Sequence, residues 1–448
     1  MSRSEHLATG RLRTRHEAVC AGAHALGRRM LAAMAIVVLA AGCAGRAGST
    51  AAPTSTPSPT ATPTATATPR PSATPTATTV PGQMTHGRST HTATALADGR
   101  VLVAGGYFNS APITLTDLYD PGAGTFTATG AMATARGFDT ATRLADGRVL
   151  FVGGNPKTWD FSGPFLASAE LYDPKTGTFS PTGPLATARN LHTATLLLDG
   201  RVLIVGGNDT FNHSLTSAEL YDPKTGTFSP TGSMTTARGF HAATLLADGR
   251  VLIAGGGSAG WTSDHFVASA EIYDPTAGTF ATTGPLTAER ALHTATLLAD
   301  GRVLVTGGIN NDNNGGTSLA SAELYDPTTG MFTATGSMAD ARTFHGAAML
   351  SDGRVLVTGG VHTGWDYAAP FLASAELYDP TTGEFTATGP MTDKRVSHTA
   401  TLLGEGRVLI AGGYDGSSWG GGPPWPDVTT AEFYDPLTGI FGPTGSGR

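Results

Sequence analysis

Residues 238–284 read RGFHAATLLADGRVLIAGGGSAGWTSDHFVASAEIYDPTAGTFATTG, and this stretch decides the fold. Three landmarks follow one another: Arg238-x-x-His241, the pair Gly255-Gly256, and Tyr273-Asp274-Pro275. Residues 241–246 are apolar and Thr-rich and run into Asp248-Gly249, a dipeptide that tolerates the positive φ a tight hairpin needs. Residues 250–254 (RVLIA) form a second β-branched run, stopped by the two glycines. After a variable segment, residues 270–273 lead into a turn. There Asp274 can bond the backbone, Pro275 presets φ, and Gly278 supplies a left-handed residue. Residues 279–283 make a fourth run around Phe280. The expectation is four short antiparallel strands.

Working outward, the Gly-Gly pair recurs at Gly105, Gly153, Gly206, Gly255, Gly307, Gly359 and Gly412. Each copy has its own Tyr-Asp-Pro, at Tyr119, Tyr172, Tyr221, Tyr273, Tyr325, Tyr378 and Tyr434. A period of about 50 residues marks a repeat architecture, and four strands per repeat describe a propeller blade. No stretch after residue 84 carries the 3.6-residue periodicity of a helical repeat. The fold class is therefore all-β, a seven-bladed β-propeller over residues 84–448. Blade seven has its own fourth strand in residues 438–444, so the N-terminal residues 78–84 are free to add to that blade or not.

These landmarks resemble the kelch repeat, with Gly-Gly after the second strand, Tyr-Asp-Pro after the third and Arg-x-x-His before the first. The resemblance covers residues 84–448. It differs from the usual pattern in placing Phe126, Phe179, Phe228, Phe280, Phe332, Phe385 and Phe441 where kelch repeats often carry Trp. The propeller of galactose oxidase is similar. That resemblance would imply a copper site built on a Cys–Tyr crosslink, a second Tyr and two His. Both cysteines, Cys20 and Cys43, precede the repeats, so that cofactor cannot form.

The same two cysteines exclude a disulfide scaffold, a zinc finger and a catalytic thiol in the propeller. A net charge of −7 with 28 basic residues argues against nucleic acid. Residues 1–43 read as a leader and signal segment: Arg28-Arg29, an apolar run over 31–41, and Ala-Ala-Gly-Cys over 40–43. That run is too short to span a bilayer. Its end resembles a bacterial lipobox with Ala40 in place of Leu, which would make Cys43 a lipid attachment point. Residues 44–83 are rich in Pro, Thr, Ala and Ser and are expected to be an extended, disordered linker. The chain reads as exported from a bacterial cell, held at the membrane by lipid alone or released, and monomeric.

Residues present in every blade are scattered around a ring and read as scaffold: Arg238, His241, Gly255, Gly256, Glu271, Tyr273 and Asp274, with their counterparts. One Arg and one acidic residue per repeat predict seven buried ion pairs that set register. Function must come from what differs, the loops between second and third strands. All five tryptophans fall there. The expected binding face is Trp159, Phe161, Phe211, Trp261, Trp365, Tyr367, Trp419 and Trp425, with Phe108, Phe165, Phe266, Phe371 and Tyr414 in the same loops. Such rings bind a ligand or pack on neighbouring loops. Mixed with Asp and Asn they suit a glycan or a protein surface. Residues 310–315 lack the carboxylate spacing of a calcium loop. His213, His265 and His362 lie in separate loops, and no nucleophile elbow, phosphate loop or HExxH occurs. The reading is a binding protein with no catalytic residue, metal or cofactor. The alternative is an extracellular carbohydrate-active or oxidase-like enzyme.

Overall fold

The computed structural model describes residues 80–157, 164–210, 212–258, 266–311, 316–362, 371–416 and 427–444. Blade four shows the plan. Ala242–Leu245, Val251–Ala254, Ala270–Asp274 and Thr279–Thr282 pair antiparallel in sequence order, each strand within two residues of its expected place. Seven such sheets occur, and the first strands sit innermost, each beside the first strand of the next blade. Blade one's Thr92–Ala95 lies beside blade seven's Thr399–Leu402, so the ring is closed.

Burial explains the residue types. Val251, Leu252, Ile253 and Ala254 have both faces covered, which is why the second strand is a continuous apolar run rather than an alternating one. The core is split into seven clusters, one per blade junction. Between blades four and five, for example, Leu252, Ala254 and Ile272 meet Val303, Val305, Tyr325 and Phe332. Each junction thus excludes water on its own, as expected of a repeat array. The fourth strand, Thr279–Thr282, is mostly exposed.

Turn chemistry works as its residues predict. Asp274 Oδ1 accepts the amide N–H groups of Thr276 at 2.8 Å and Ala277 at 3.2 Å. Tyr273 lies against Phe280 with ring centroids 4.8 Å apart, and its hydroxyl meets Thr231 Oγ1 of blade three at 2.9 Å. The Arg of the Asp-Gly-Arg hairpin pairs with its own Asp, and Arg201 also reaches the Pro275 carbonyl of the next blade at 3.4 Å.

The N-terminal residues, left open by the sequence, bind both blades at the closure of the ring. Val80–Pro81 forms a fifth strand on the outer edge of blade one, with Val80 opposite Phe126. The next residues turn to blade seven: Ala431 N donates to Gly82 O at 3.1 Å, and Met84 N to Thr429 O at 2.9 Å. Met84 is buried in the junction core, in the place Met234 holds between blades three and four. The N-terminal segment therefore staples blade seven to blade one without exchanging a strand.

Candidate binding face

The second strand of each blade ends at Gly-Gly on the same end of the wheel at which the first strand begins. Glycine is required by contact as well as by conformation. Gly255 has φ +64°, and a Cβ there would lie 2.5 Å from Arg290 O of the next blade. Gly256, at φ +100°, would place its Cβ 2.6 Å from Gly239 O and 2.9 Å from His241 Cβ.

The repeated arginine clamps both ends of the loop that follows. Arg238 Nη1 donates to Gly255 O, where the loop leaves, and to Ser269 O, where it returns, both at 2.8 Å. Its Nη2 reaches Ser269 Oγ at 3.0 Å and Glu271 Oε1 at 2.9 Å. Glu271 also accepts the amide protons of Thr235 and Thr236, at 2.8 and 3.2 Å. The pair is fully buried, and burial pulls the guanidinium below its usual range while Glu271 pushes it back up. The same ion pair is present in all seven blades at 2.5–3.1 Å, always within one blade. Each carboxylate also accepts at least one further bond from the lead-in segment, so the loop ends are held in place independently of what the loops contain.

Around the channel mouth runs a second ring. Thr90, Phe138, Leu191, Phe240, Leu292, Phe344 and Ser397 all have φ between 48° and 56°. Left-handed backbone costs roughly 1–2 kcal/mol for a residue with a Cβ. Blade-to-blade bonds offset it: Phe240 N donates to Leu191 O at 3.3 Å, and Leu292 N to Phe240 O at 3.1 Å. Strain held by its surroundings in this way is characteristic of functional positions. This collar escaped the sequence reading, although the varying residue just before each His was its signal.

Beneath the collar lie the repeated histidines, neutral and buried. His241 Nε2 meets Thr193 Oγ1 of blade three at 2.9 Å, and His192 Nε2 meets Thr140 Oγ1 at 3.0 Å. Burial first, then the adjacent Arg238, holds His241 down at about 3. Two blades depart from the pattern. Ala242 offers no hydroxyl, so His293 Nε2 has no partner among the described residues; Gly346 likewise offers none, and His398 turns to Thr358 at 2.9 Å.

The expected ligand-contacting residues Trp159, Phe161, Phe211, Trp261, Trp365, Tyr367, Trp419 and Trp425 lie outside the described residues, as do Cys43 and His265. Of the loop aromatics that are described, Phe108 is half-buried and stacks edge-on to His86 at 5.6 Å, and the others pack inward. Phe165, Phe266, Phe371 and Tyr414 are buried. Phe266 joins Phe240, Ala291 and Ile309 in a small satellite core with Leu191 and Leu292, and Phe371 stacks edge-on to Tyr414 at 5.4 Å. These rings are the footings of the loops. Adjacent footings interlock, with Ser214 Oγ donating to Gly257 O at 3.0 Å and Ser318 Oγ to Val361 O at 3.1 Å. Asp427, whose carboxyl burial pushes up to about 6, accepts the Asn109 amide at 2.8 Å and ties loop seven to loop one.

His213 pairs with Asp209 at 2.7 Å, and His362 is exposed in another loop. Among the described residues no three His, Cys, Asp or Glu side chains come together as metal ligands.

Comparison with known proteins agrees with this architecture. The Kelch motif family matches residues 189–235. A fungal alcohol oxidase of the AA5 family, solved in complex with copper, superposes with a TM-score of 0.61. It is 19% identical, with 77% of this chain and 73% of that one covered, a likeness that carries the fold alone. Spermatocyte protein spe-26 of Caenorhabditis elegans is 32% identical over 126 residues, which are 28% of this chain and 21% of that protein's length.

Proposed function

The chain is a kelch-repeat seven-bladed β-propeller, and on that premise we propose that it is a non-catalytic binding protein whose loop-bearing face recognises a protein or a glycan. The observation that carries the reading is the contrast along each loop. Its two ends are pegged by a buried arginine–carboxylate pair, with Asp117 in blade one and Glu in the other six, and all five tryptophans fall between those ends. Rigid footings lower the ordering cost of binding, and large rings between them supply contact area. The mixture of Trp with Asp and Asn in the same loops favours sugar stacking with hydroxyl hydrogen bonds, or a polar protein epitope.

In this proposal the protein acts outside the cytoplasm of a bacterium, tethered through a lipid on Cys43 with residues 44–83 as a stalk. It works as a monomer and requires no cofactor. Metabolic labelling with an acyl-chain probe tests the anchor, since Cys43→Ser abolishes incorporation if the tether is there.

The direct test of recognition is a glycan array run beside affinity capture from the native cell envelope. Both use the wild-type propeller and a variant carrying Trp159, Trp261 and Trp365 as Ala. Binding in either format that the triple variant loses by tenfold or more supports the reading and says which class the ligand is. Equal binding by the two proteins contradicts it.

A further inference from the structure

Six blades place an imidazole at the head of the innermost strand, and blade two places Asp139 there. The slot is shaped for a ring. At the other six junctions an ideal Cβ on the first glycine of the pair would lie 2.7–3.0 Å from the imidazole Cε1, whereas at Gly105 it would lie 3.7 Å from Asp139 Oδ1. Asp139 is only 9% exposed, and neither carboxyl oxygen has a hydrogen-bond partner on another of the described residues. The Thr92 hydroxyl, counterpart of the one that answers His241, is turned to Ala104 O at 3.4 Å. The Arg136 carbonyl converges on the same spot, 2.8 Å from that Gly105 Cβ position. An ionised carboxylate here would face another acceptor in a dry slot, eased only by its own backbone N–H and the Arg136 charge, a costly arrangement unless a proton is added or water admitted.

We propose that Asp139 is a proton-operated latch between blades one and two, closed against the blade-one backbone when protonated and opening that junction to water at the loop-bearing face when ionised. Two charged groups face it. Arg136, on the same lead-in segment, favours the carboxylate, and Glu170, on the third strand of blade two, opposes it. They are paired with each other at 2.7 Å through Arg136 Nη2, which partly spends the guanidinium charge on Glu170. From blade one the slot is met by Gly105, and the Met132 methyl reaches the same point from the link between the blades; neither carries a charge. Burial outweighs Arg136 and pushes the carboxyl up to about 7.

The latch lies next in the chain to Phe138, whose ring packs on Tyr107 at 5.7 Å, so opening reaches the collar and the base of the blade-one loop. Its sign distinguishes it from the histidines. An unfolded aspartate titrates near 4, roughly its free value, so the protonated latch stabilises the junction at low pH and loses that contribution as pH rises towards 7. The six histidines do the reverse.

Amide hydrogen exchange of residues 104–107 and 136–140 across pH 5.5–8.5, corrected for the intrinsic rate, tests this on the full chain. Wild type is expected to exchange about tenfold faster at the top of the range than at the bottom. Asp139→Asn is expected to be flat, and Asp139→His, which rebuilds the ring found in the other blades, to show the opposite slope and exchange faster at the acid end, with residues 251–254 unchanged in all three. A flat wild-type profile, or variants that open with the wild-type slope, overturns the proposal.

Discussion

The junction between blades three and four and the junction between blades seven and one are built from the same repeat and held differently. At the first, Thr231 Oγ1 meets Tyr273 OH at 2.9 Å, Gly232 N donates to Gly278 O at 2.9 Å, and Arg201 reaches Pro275 O. At the second, Gly82 N takes the seat on Gly124 O, Thr444 Oγ1 turns to Ala431 O, and Tyr119 OH has no partner among the described residues. Arg407 lies over the Phe433 ring at 4.0 Å instead of on a proline carbonyl. A cavity of about 620 Å³ opens there, walled by Pro121, Arg407, Phe433 and Leu437. The lesson is that a continuous chain makes six junctions with the same Thr–Tyr and Gly–Gly bonds, five of them adding the arginine to proline carbonyl contact, while the junction where its two ends meet needs a separate device. That device is the staple of residues 80–84.

Acid should attack every junction that keeps its histidine. Each native imidazole is held at about 3 or well below its usual value, and the unfolded one is not, so the stabilisation is complete above about pH 6.5 and is lost as pH falls towards 3. All six losses act in the same direction over that window, so melting temperatures between pH 7 and 4 should drop steeply. Breaking one loop clamp is the next largest effect. Arg238→Ala strands Glu271 in a dry site and should cost about 3–5 kcal/mol by chemical denaturation, with Glu271→Gln costing less.

The staple predicts a local asymmetry. A chain beginning at residue 85 loses the Met84 side chain from the junction core, about 2–5 kcal/mol, and should expose residues 119–126 and 431–435 to exchange before any other blade. Tyr273→Phe should cost about 0.5–1.5 kcal/mol, and Tyr119→Phe nothing, because only the first hydroxyl has a partner. Equal losses would mean that the two junctions are bonded alike. Smallest and opposite in sign, Ala242→Thr restores the missing hydroxyl to His293 and should raise stability by roughly 0.5–1.5 kcal/mol.

The wheel was legible in the sequence because its determinants are local and repeated seven times. Asp274-Pro275, Asp248-Gly249 and Gly255-Gly256 dictate turns through their own φ and hydrogen bonds, whatever surrounds them. The pairing of Arg238 with Glu271 was legible from counting one cation and one anion per repeat. The use of that pair to peg both loop ends was not, since its partners are the backbone carbonyls of Gly255 and Ser269, which every residue possesses. The staple was hidden for a different reason. Val80 and Pro81 carry no repeat signature, and their place follows from where the ring runs out of chain. Loop aromatics were the most ambiguous. Phe266 and Phe371 look in sequence like the tryptophans nearby, yet they are footings, because each sits at the return of its loop and bridges to the residue after Gly-Gly.

The account rests on a division between a scaffold that fixes the loop ends and rings that do the recognising. The most direct measurement compares the melting temperature and the affinity for the captured ligand in a variant with all five tryptophans changed to Ala. An unchanged melting temperature with binding lost is the predicted result. A protein that melts early while binding as before would contradict it.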